Sequence, residues 1–374
     1  MKSLIETPYF LVDEIKLIQN LEILKALQQD TGCKVLLAQK AFSMFYAYPL
    51  ISRYLAGTCG SGLYETRLGA EKFGGETHVF SPAYKENEFE DILRYADDIV
   101  FNSVKQVKKF GQRAKECGKS IGLRVNPECS TQQGHAVYDP CSPGSRLGCT
   151  LSQLDESILP MLDGLHFHTL CEQNSDDLET TAKVFEEKFG KYLYSLKWVN
   201  FGGGHHITRK DYDIERLKRI IIHFKNTYDV DVYLEPGEAV VLNAGYLKTS
   251  VLEIVHNGMN IAILDSSAAC HMPDVIEMPY TPPLQNAAKS NEKKYPYRLG
   301  GSTCLAGDVI GDYSFDEPLK EGDILTFEDM ALYTMVKTNT FNGMRLPSIV
   351  YRHSDGKEVL VQSFGYEDFL NRLS

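Results

Sequence analysis

Lys34-Val35-Leu36-Leu37-Ala38-Gln39-Lys40-Ala41-Phe42 is the stretch on which the reading of this 374-residue chain turns. Its Val-Leu-Leu-Ala run has the length and composition of a buried strand, and Lys40 stands at its end. A lysine there is expected to be partly desolvated. Burial disfavours the ammonium and leaves an amine able to attack a carbonyl, which suits Schiff-base chemistry. The plainer alternative is a lysine whose stem covers apolar surface while its charge reaches water.

From residue 34 onward, short apolar runs alternate with helical periodicity, the signature of a parallel α/β fold. The predicted strands are Lys34–Gln39, Gly57–Gly60, Thr77–Ser81, Ile99–Ser103, Ser120–Asn126, Gly164–Thr169, Trp198–Phe201 and Asp231–Glu235. Helical patterns include Tyr64–Phe73, Val104–Cys117, Asp176–Tyr194 and Ile214–Tyr228, and Glu14–Gln29 precedes the first strand. Eight such strands fit a (β/α)8 TIM barrel better than an open doubly wound sheet. After Glu235 the texture changes. Ala239–His256, Asn260–Leu264, Asp323–Phe327 and Glu358–Ser363 read as strands separated by Gly, Pro and Asp turns, and residues 284–297 as a polar, mobile stretch. The expected organisation is a barrel over 9–240 and an all-β, sandwich- or barrel-like domain over 241–374 that also takes residues 1–8.

Composition narrows the function. Hydrophobic residues make up 43% and charged residues 24%, as in an ordinary globular protein, and no apolar stretch is long enough to span a membrane. Met1–Pro8 lacks the apolar core of a signal peptide, so the expected location is cytoplasmic. Nine scattered cysteines with no Cys-x-x-Cys pair argue against a disulfide framework or a structural zinc site, and most are expected to be small buried hydrophobes. A net charge of −11 disfavours nucleic acid and favours cationic ligands.

In such a barrel the chemistry belongs at the C-terminal ends of the strands. Lys40 ends the first strand, and Arg146 follows the fifth in Ser145-Arg146-Leu147-Gly148. His166 and His168 share one face of the sixth, since side chains two apart point the same way. Gly202-Gly203-Gly204 follows the seventh, and Glu235 ends the eighth before Pro236-Gly237. Each feature alone has an ordinary reading: a tight turn, a structural histidine pair, a strand ending. Together, in barrel order, they form one pattern.

That pattern resembles the fold-type III pyridoxal-phosphate (PLP) enzymes, the superfamily of alanine racemase and the ornithine and diaminopimelate decarboxylases. The resemblance covers nearly the whole chain. It implies that Lys40 carries the cofactor covalently, that His168 stacks on the pyridine ring and that Gly202, Gly203 and Gly204 bind the phosphate. It also implies that Glu235 pairs with the pyridine nitrogen and that Arg146 lies near the ring's phenolic oxygen. Gly300-Gly301-Ser302-Thr303-Cys304-Leu305 resembles the decarboxylases' Gly-Pro-Thr-Cys motif, and Ala331-Leu332-Tyr333-Thr334 their Gly-Ala-Tyr motif. These imply a homodimer with shared sites, in which Cys304 enters the partner's site as the acid that reprotonates the substrate carbon, and in which Tyr333 reaches the phosphate.

Asp265-Ser266-Ser267 and His271-Met272-Pro273-Asp274-Val275-Ile276-Glu277-Met278-Pro279-Tyr280 resemble the polyamine-forming branch of the family. That implies a carboxylated polyamine substrate whose ammonium groups need carboxylate partners. Asp274 and Glu277 are the first candidates, with Glu238 and Asp308 behind them. Two positions depart from better-known relatives. Glu238 stands where they carry an arginine that holds phosphate, and Leu305 where ornithine decarboxylases carry an aspartate. Three alternatives remain open at this point: a basic amino-acid decarboxylase of the diaminopimelate or ornithine type, a non-catalytic PLP-binding protein, and a metal-dependent barrel hydrolase. The last would use His166, His168, His205 and His206 with Glu235 as ligands.

Overall fold

The structure, a computed structural model, describes residues 5–132 and 139–374. The chain divides into two compact units, Asn20–Val240 and Met1–Gln19 with Val241–Ser374.

In the first unit, the described residues form eight parallel strands that close into a barrel: Lys34–Ala38, Gly57–Gly60, Glu76–Phe80, Asp98–Phe101, Ser120–Arg124, Gly164–His166, Trp198–Asn200 and Asp231–Leu234. The eighth pairs with the first at Lys34–Tyr233 and Val35–Leu234, which completes the ring. Helices run between them. Ile214–Tyr228 spans the predicted residues. Asp213 caps it by accepting from the Arg216 N–H, and Leu217, Ile220, Ile221, Phe224 and Tyr228 bury one face at three- and four-residue spacing. Val104–Glu116 is built alike, capped by Ser103 and buried through Val107, Phe110, Gly111 and Ala114.

Leu36, Val100, Trp198 and Tyr233 pack together as a buried cluster of barrel-strand side chains. Trp198 explains two glycines. A Cβ on Gly122 or Gly164 would lie 2.4 or 2.0 Å from its indole, so these strand positions must stay bare. At the N-terminal ends of the strands the barrel has an ionic floor. Lys34 Nζ donates to Glu76 Oε1 (2.7 Å) and to the Tyr233 hydroxyl (2.9 Å), which donates to Glu76 Oε2 (2.9 Å). His78 Nε2 lies 3.2 Å from Glu76 Oε2 and 3.3 Å from Asp98 Oδ2. Hydrogen bonds from His78, Lys34 and Tyr233 pull the Glu76 carboxyl down to about 2, against the effect of burial.

The second unit is a mixed sheet. Among the described residues its order is Ala288–Lys289, Val309–Phe315, Tyr295–Gly300, Asn260–Leu264, Gly245–His256, Tyr9–Asp13, Ser348–Arg352 and Glu358–Gln362, with Ile324–Glu328 also pairing with Gly245–His256. Tyr9–Asp13 runs parallel to Ser348–Arg352 and antiparallel to Gly245–His256. Phe10, Leu247, Val251, Leu264, Leu299 and Phe327 belong to its core.

Two expectations change here. Residues 239–244 are not strand: Glu238–Val241 is a short helix, and the strand starts at Gly245, where a Cβ would meet Ala331 at 2.2 Å. Residues 284–297 are not a loose polar stretch. Ala288–Lys289 and Tyr295–Gly300 both pair with Val309–Phe315, and Tyr297 is buried edge-on to Phe315. The unit also carries short helices at Ala268–His271, Asp274–Glu277 and Tyr366–Leu370. No helix among the described residues is long and apolar enough to cross a membrane.

Candidate active site

Lys40 lies two residues beyond the first strand, in a turn anchored by its buried neighbour. Gln39 donates from Nε2 to the Glu65 carbonyl (2.7 Å) and accepts from the Tyr48 hydroxyl (2.9 Å). Gly237 lets this turn pack against the end of the eighth strand: a Cβ there would come within 2.5 Å of Ala41 Cβ. Lys40 itself is exposed, so the partial burial expected from its apolar run is not found. The apolar side chains behind it are buried on both faces of the strand, and the chain turns before the lysine.

Glu235 is buried and held at both oxygens. Asn200 Nδ2 donates to Oε1 (2.7 Å), and His166 Nε2 lies 3.1 Å from Oε2. Burial opposes ionisation, but His166, His78 and Asn200 outweigh it and hold the carboxyl down at about 2. Asn200 also reaches the glycine turn, accepting from the Gly202 N–H at 2.8 Å. Gly203 N–H donates to Nδ1 of His168 (2.9 Å). Gly202 and Gly204 have φ of +70° and +81°, and a Cβ on Gly204 would sit 2.1 Å from the Leu170 carbonyl oxygen. Burial, then the Lys40 and Arg124 charges, push the His168 imidazole well below its ordinary value, so it is neutral.

Sequence reasoning missed Arg124, Asn200 and Cys59. Arg124 is buried, donates to the His168 carbonyl (3.3 Å) and places its guanidinium 4.6 Å from the Phe80 ring centroid. Burial lowers it to about 10, which leaves it charged at neutral pH. A signal existed: an arginine inside Ile121-Gly122-Leu123-Arg124-Val125 has no solvent face to occupy. Cys59 is pushed well above its ordinary value by burial and by Glu235 beside it. Arg146 is exposed, and its carbonyl accepts from Asn102 Nδ2 at 2.8 Å.

In the sheet unit, Cys304 is exposed and its backbone N–H donates to Asn342 Oδ1 (3.0 Å). Asp308 is buried and engaged on both oxygens. It accepts from Ser267 Oγ (2.8 Å), Thr303 Oγ1 (2.6 Å), and the N–H groups of Ala269 (3.2 Å) and Thr303 (3.3 Å). That geometry makes it the anchor of the Cys304 loop, contrary to its expected place among substrate carboxylates. Asp274 and Glu277 both contact the Lys337 ammonium, the first at 2.5 Å. Tyr333 is half-buried with φ of +52°, a left-handed setting that a tyrosine seldom adopts. The nine cysteines are free thiols, but only Cys33, Cys149 and Cys270 are fully buried, fewer than composition suggested.

The histidines do not form one metal set. His166 faces Glu235, His168 accepts from Gly203, His205 faces the Phe201 carbonyl (3.3 Å) and His206 faces Glu238 (2.6 Å). Among the described residues, the groups whose ligand atoms converge are Glu76, His78 and Asp98 in the floor, and Glu172, His206 and Glu238. The donors around Lys40 suit a charged pyridine aldehyde better: a primary amine, an ionised carboxylate oriented by two donors, a neutral imidazole and a glycine turn.

The chain is a pyridoxal-dependent decarboxylase: it belongs to the family described as "Pyridoxal-dependent decarboxylase, C-terminal sheet domain", whose model matches residues 28–331, and its cofactor is PLP. Within that family it is similar to the carboxynorspermidine/carboxyspermidine decarboxylase of Campylobacter jejuni subsp. jejuni, with 44% identity over 98% of both chains. It is also similar to the carboxyaminopropylagmatine decarboxylase of a Synechocystis species, with 41% identity over 99% of this chain and 96% of the relative. The crystal structure of carboxynorspermidine decarboxylase complexed with norspermidine, from Campylobacter jejuni, superposes with a TM-score of 0.91 at 43% identity, covering 98% of this chain and 100% of that one.

Proposed function

We propose that this enzyme removes CO2 from carboxynorspermidine and carboxyspermidine, giving norspermidine and spermidine. The observation that carries the reading is the buried Glu235 carboxylate, gripped at both oxygens, at the same end of the barrel as Lys40. The 44% relative named for these two substrates supports the choice of substrate.

Bound PLP supplies the electron sink for the bond that CO2 leaves behind. Lys40 would provide the amine that holds the cofactor's aldehyde. Glu235, ionised throughout the neutral range, would favour a proton on the ring nitrogen. His168 would pack against the ring, and Gly202–Gly204 would take the phosphate, with Tyr333 as a further candidate for it. Gly202 and Gly203 donate their N–H groups to Asn200 and His168, so their share in phosphate binding lies in allowing close approach. The contact near the phenolic oxygen would fall to Arg124, which is buried beside His168, in place of the exposed Arg146. In a cytoplasmic homodimer, Cys304 of the partner subunit would give its thiol proton to the carbon that lost CO2 and regain one from water. Asp274 and Glu277 would receive ammonium groups of the substrate, as they receive Lys337, with Glu238 as a further partner.

A CO2-release assay across carboxynorspermidine, carboxyspermidine, carboxyaminopropylagmatine, diaminopimelate and ornithine tests this. The highest kcat/KM should fall on the two carboxylated triamines. Preference for carboxyaminopropylagmatine, the substrate named for the 41% relative, would move the assignment to a guanidinium tail. Preference for an amino acid would overturn the polyamine reading. Mixing inactive Lys40→Ala and Cys304→Ala chains tests the shared site. Activity should return in part, and none after verified subunit exchange would place each site within one chain.

A further inference from the structure

We infer that His166 is a positioning residue for the reaction, a neutral imidazole that fixes the second oxygen of Glu235. The inference rests on the reading of Glu235 as partner of the ring nitrogen. The two ring nitrogens of His166 differ in their surroundings. Nε2 lies 3.1 Å from Glu235 Oε2, whereas Nδ1 is buried with no hydrogen-bond partner among the described residues. A bare lone pair is tolerable in such a place, but an unpaired N–H is not. The proton therefore sits on Nε2 and is donated to Glu235, and Nδ1 carries none. Burial pushes the imidazole below its ordinary value, in agreement with a neutral ring.

The ring cannot turn away. Phe80 stacks on it at 5.7 Å between centroids and 17° between planes, and Phe80 also carries the Arg124 guanidinium. Asn200 performs the matching task at Oε1 and is tied to the glycine turn. The carboxylate is thus oriented from two sides by neutral donors, which do not neutralise its charge. A cationic partner in place of His166 would weaken the pull of Glu235 on a proton at the ring nitrogen.

The test uses holoenzyme reconstituted with PLP carrying an NMR-active isotope at the ring nitrogen, in wild type, His166→Leu, His166→Gln and Glu235→Gln. In His166→Leu the ring-nitrogen resonance should move toward the unprotonated position. There kcat should fall about 10- to 100-fold, while KM stays within about twofold. His166→Gln, which keeps an N–H donor, should recover most of both. A wild-type resonance and kcat in His166→Leu would overturn the inference, as would equal failure of the Gln and Leu chains. Glu235→Gln separates the two readings. If the resonance ignores Glu235→Gln, the assignment of Glu235 falls. If it responds to Glu235→Gln and ignores His166→Leu, only the role of His166 falls. Should the Leu chain not fold, the nitrogens of His166 in the wild-type protein decide: one protonated and one bare from about pH 6 to about pH 9 is expected, and an imidazolium at about pH 7 would overturn the inference.

Discussion

The backbone N–H of Gly203 donates to Nδ1 of His168 across 2.9 Å, so the glycine turn and the imidazole beside it move as one piece. The bond fixes His168 as the neutral tautomer with its proton on Nε2. A Cβ on Gly203 would lie 2.5 Å from the Glu235 carbonyl oxygen and 3.3 Å from His168 Cε1. Gly203→Ala is therefore expected to lower stability by about 1–3 kcal/mol through overpacking. It should also weaken PLP binding at least about tenfold, a loss of about 1.4 kcal/mol. Thermal melts and a spectrophotometric PLP titration measure the two effects, and an unchanged titration would count against the turn as part of the cofactor site.

Asp308 is the anchor of the Cys304 loop, and its removal should be felt in both stability and rate. Asp308→Asn leaves four donors around a group with one acceptor oxygen. A loss of about 2–4 kcal/mol in denaturant melts is expected. With the loop loosened, kcat should fall while PLP affinity stays at the wild-type value. A rise in KM with unchanged kcat would instead return Asp308 to the substrate carboxylates.

Glu277 is about half exposed and shares Lys337 with Asp274. If it receives a substrate ammonium, Glu277→Gln should raise KM about three- to fivefold, the size of a solvent-screened ion pair, and lower kcat far less. Equal loss in kcat and kcat/KM with KM unchanged would remove it from the binding set.

His271 makes the sheet unit sensitive to acid. Its Nδ1 accepts from the Ser267 N–H (3.2 Å) and its Nε2 donates to the Arg345 carbonyl (3.0 Å), so a second proton has no place. Burial holds the imidazole down at about 4. The unfolded chain takes up that proton near the ordinary value of about 6.5. Between these values the unfolded state binds more protons, so stability falls as pH drops through the window. The contribution is about 3 kcal/mol, present above pH ~6.5 and lost by pH ~4. Denaturant midpoints at about pH 7 and about pH 4.5 should differ less in His271→Gln than in wild type.

Much of the barrel was legible because parallel strands are buried on both faces and their apolar runs are continuous. Val35–Ala38 and the helix Ile214–Tyr228 are cases in point. Several strand ends were drawn too late, at Gln39, Thr169 and Glu235. Phe167, Thr169 and Leu170 stay buried after the strand stops at His166, so pattern alone cannot show the end. Tyr9–Asp13 was missed because both strands that pair with it lie more than two hundred residues downstream. In the site, residue types with strong chemistry stood out, as Lys40, His168 and Glu235 did. Their supports did not. Nothing local marks Asn200 as the link between Glu235 and Gly202, and nothing marks Asp308 as a buried hub; both depend on contacts brought by the fold.

The floor of Lys34, Glu76, His78, Asp98 and Tyr233 ties the first, third, fourth and eighth strands together by named partners. These bonds lie at the far end of the strands from Lys40, His168 and Glu235. Loops at the reacting end can then change in length and sequence without loosening the ring that carries them. For protein engineering, this foundation is the part of the barrel to leave intact when the preference for a polyamine tail is redrawn. It is a structural reason to expect related chains to diverge in substrate sooner than in frame.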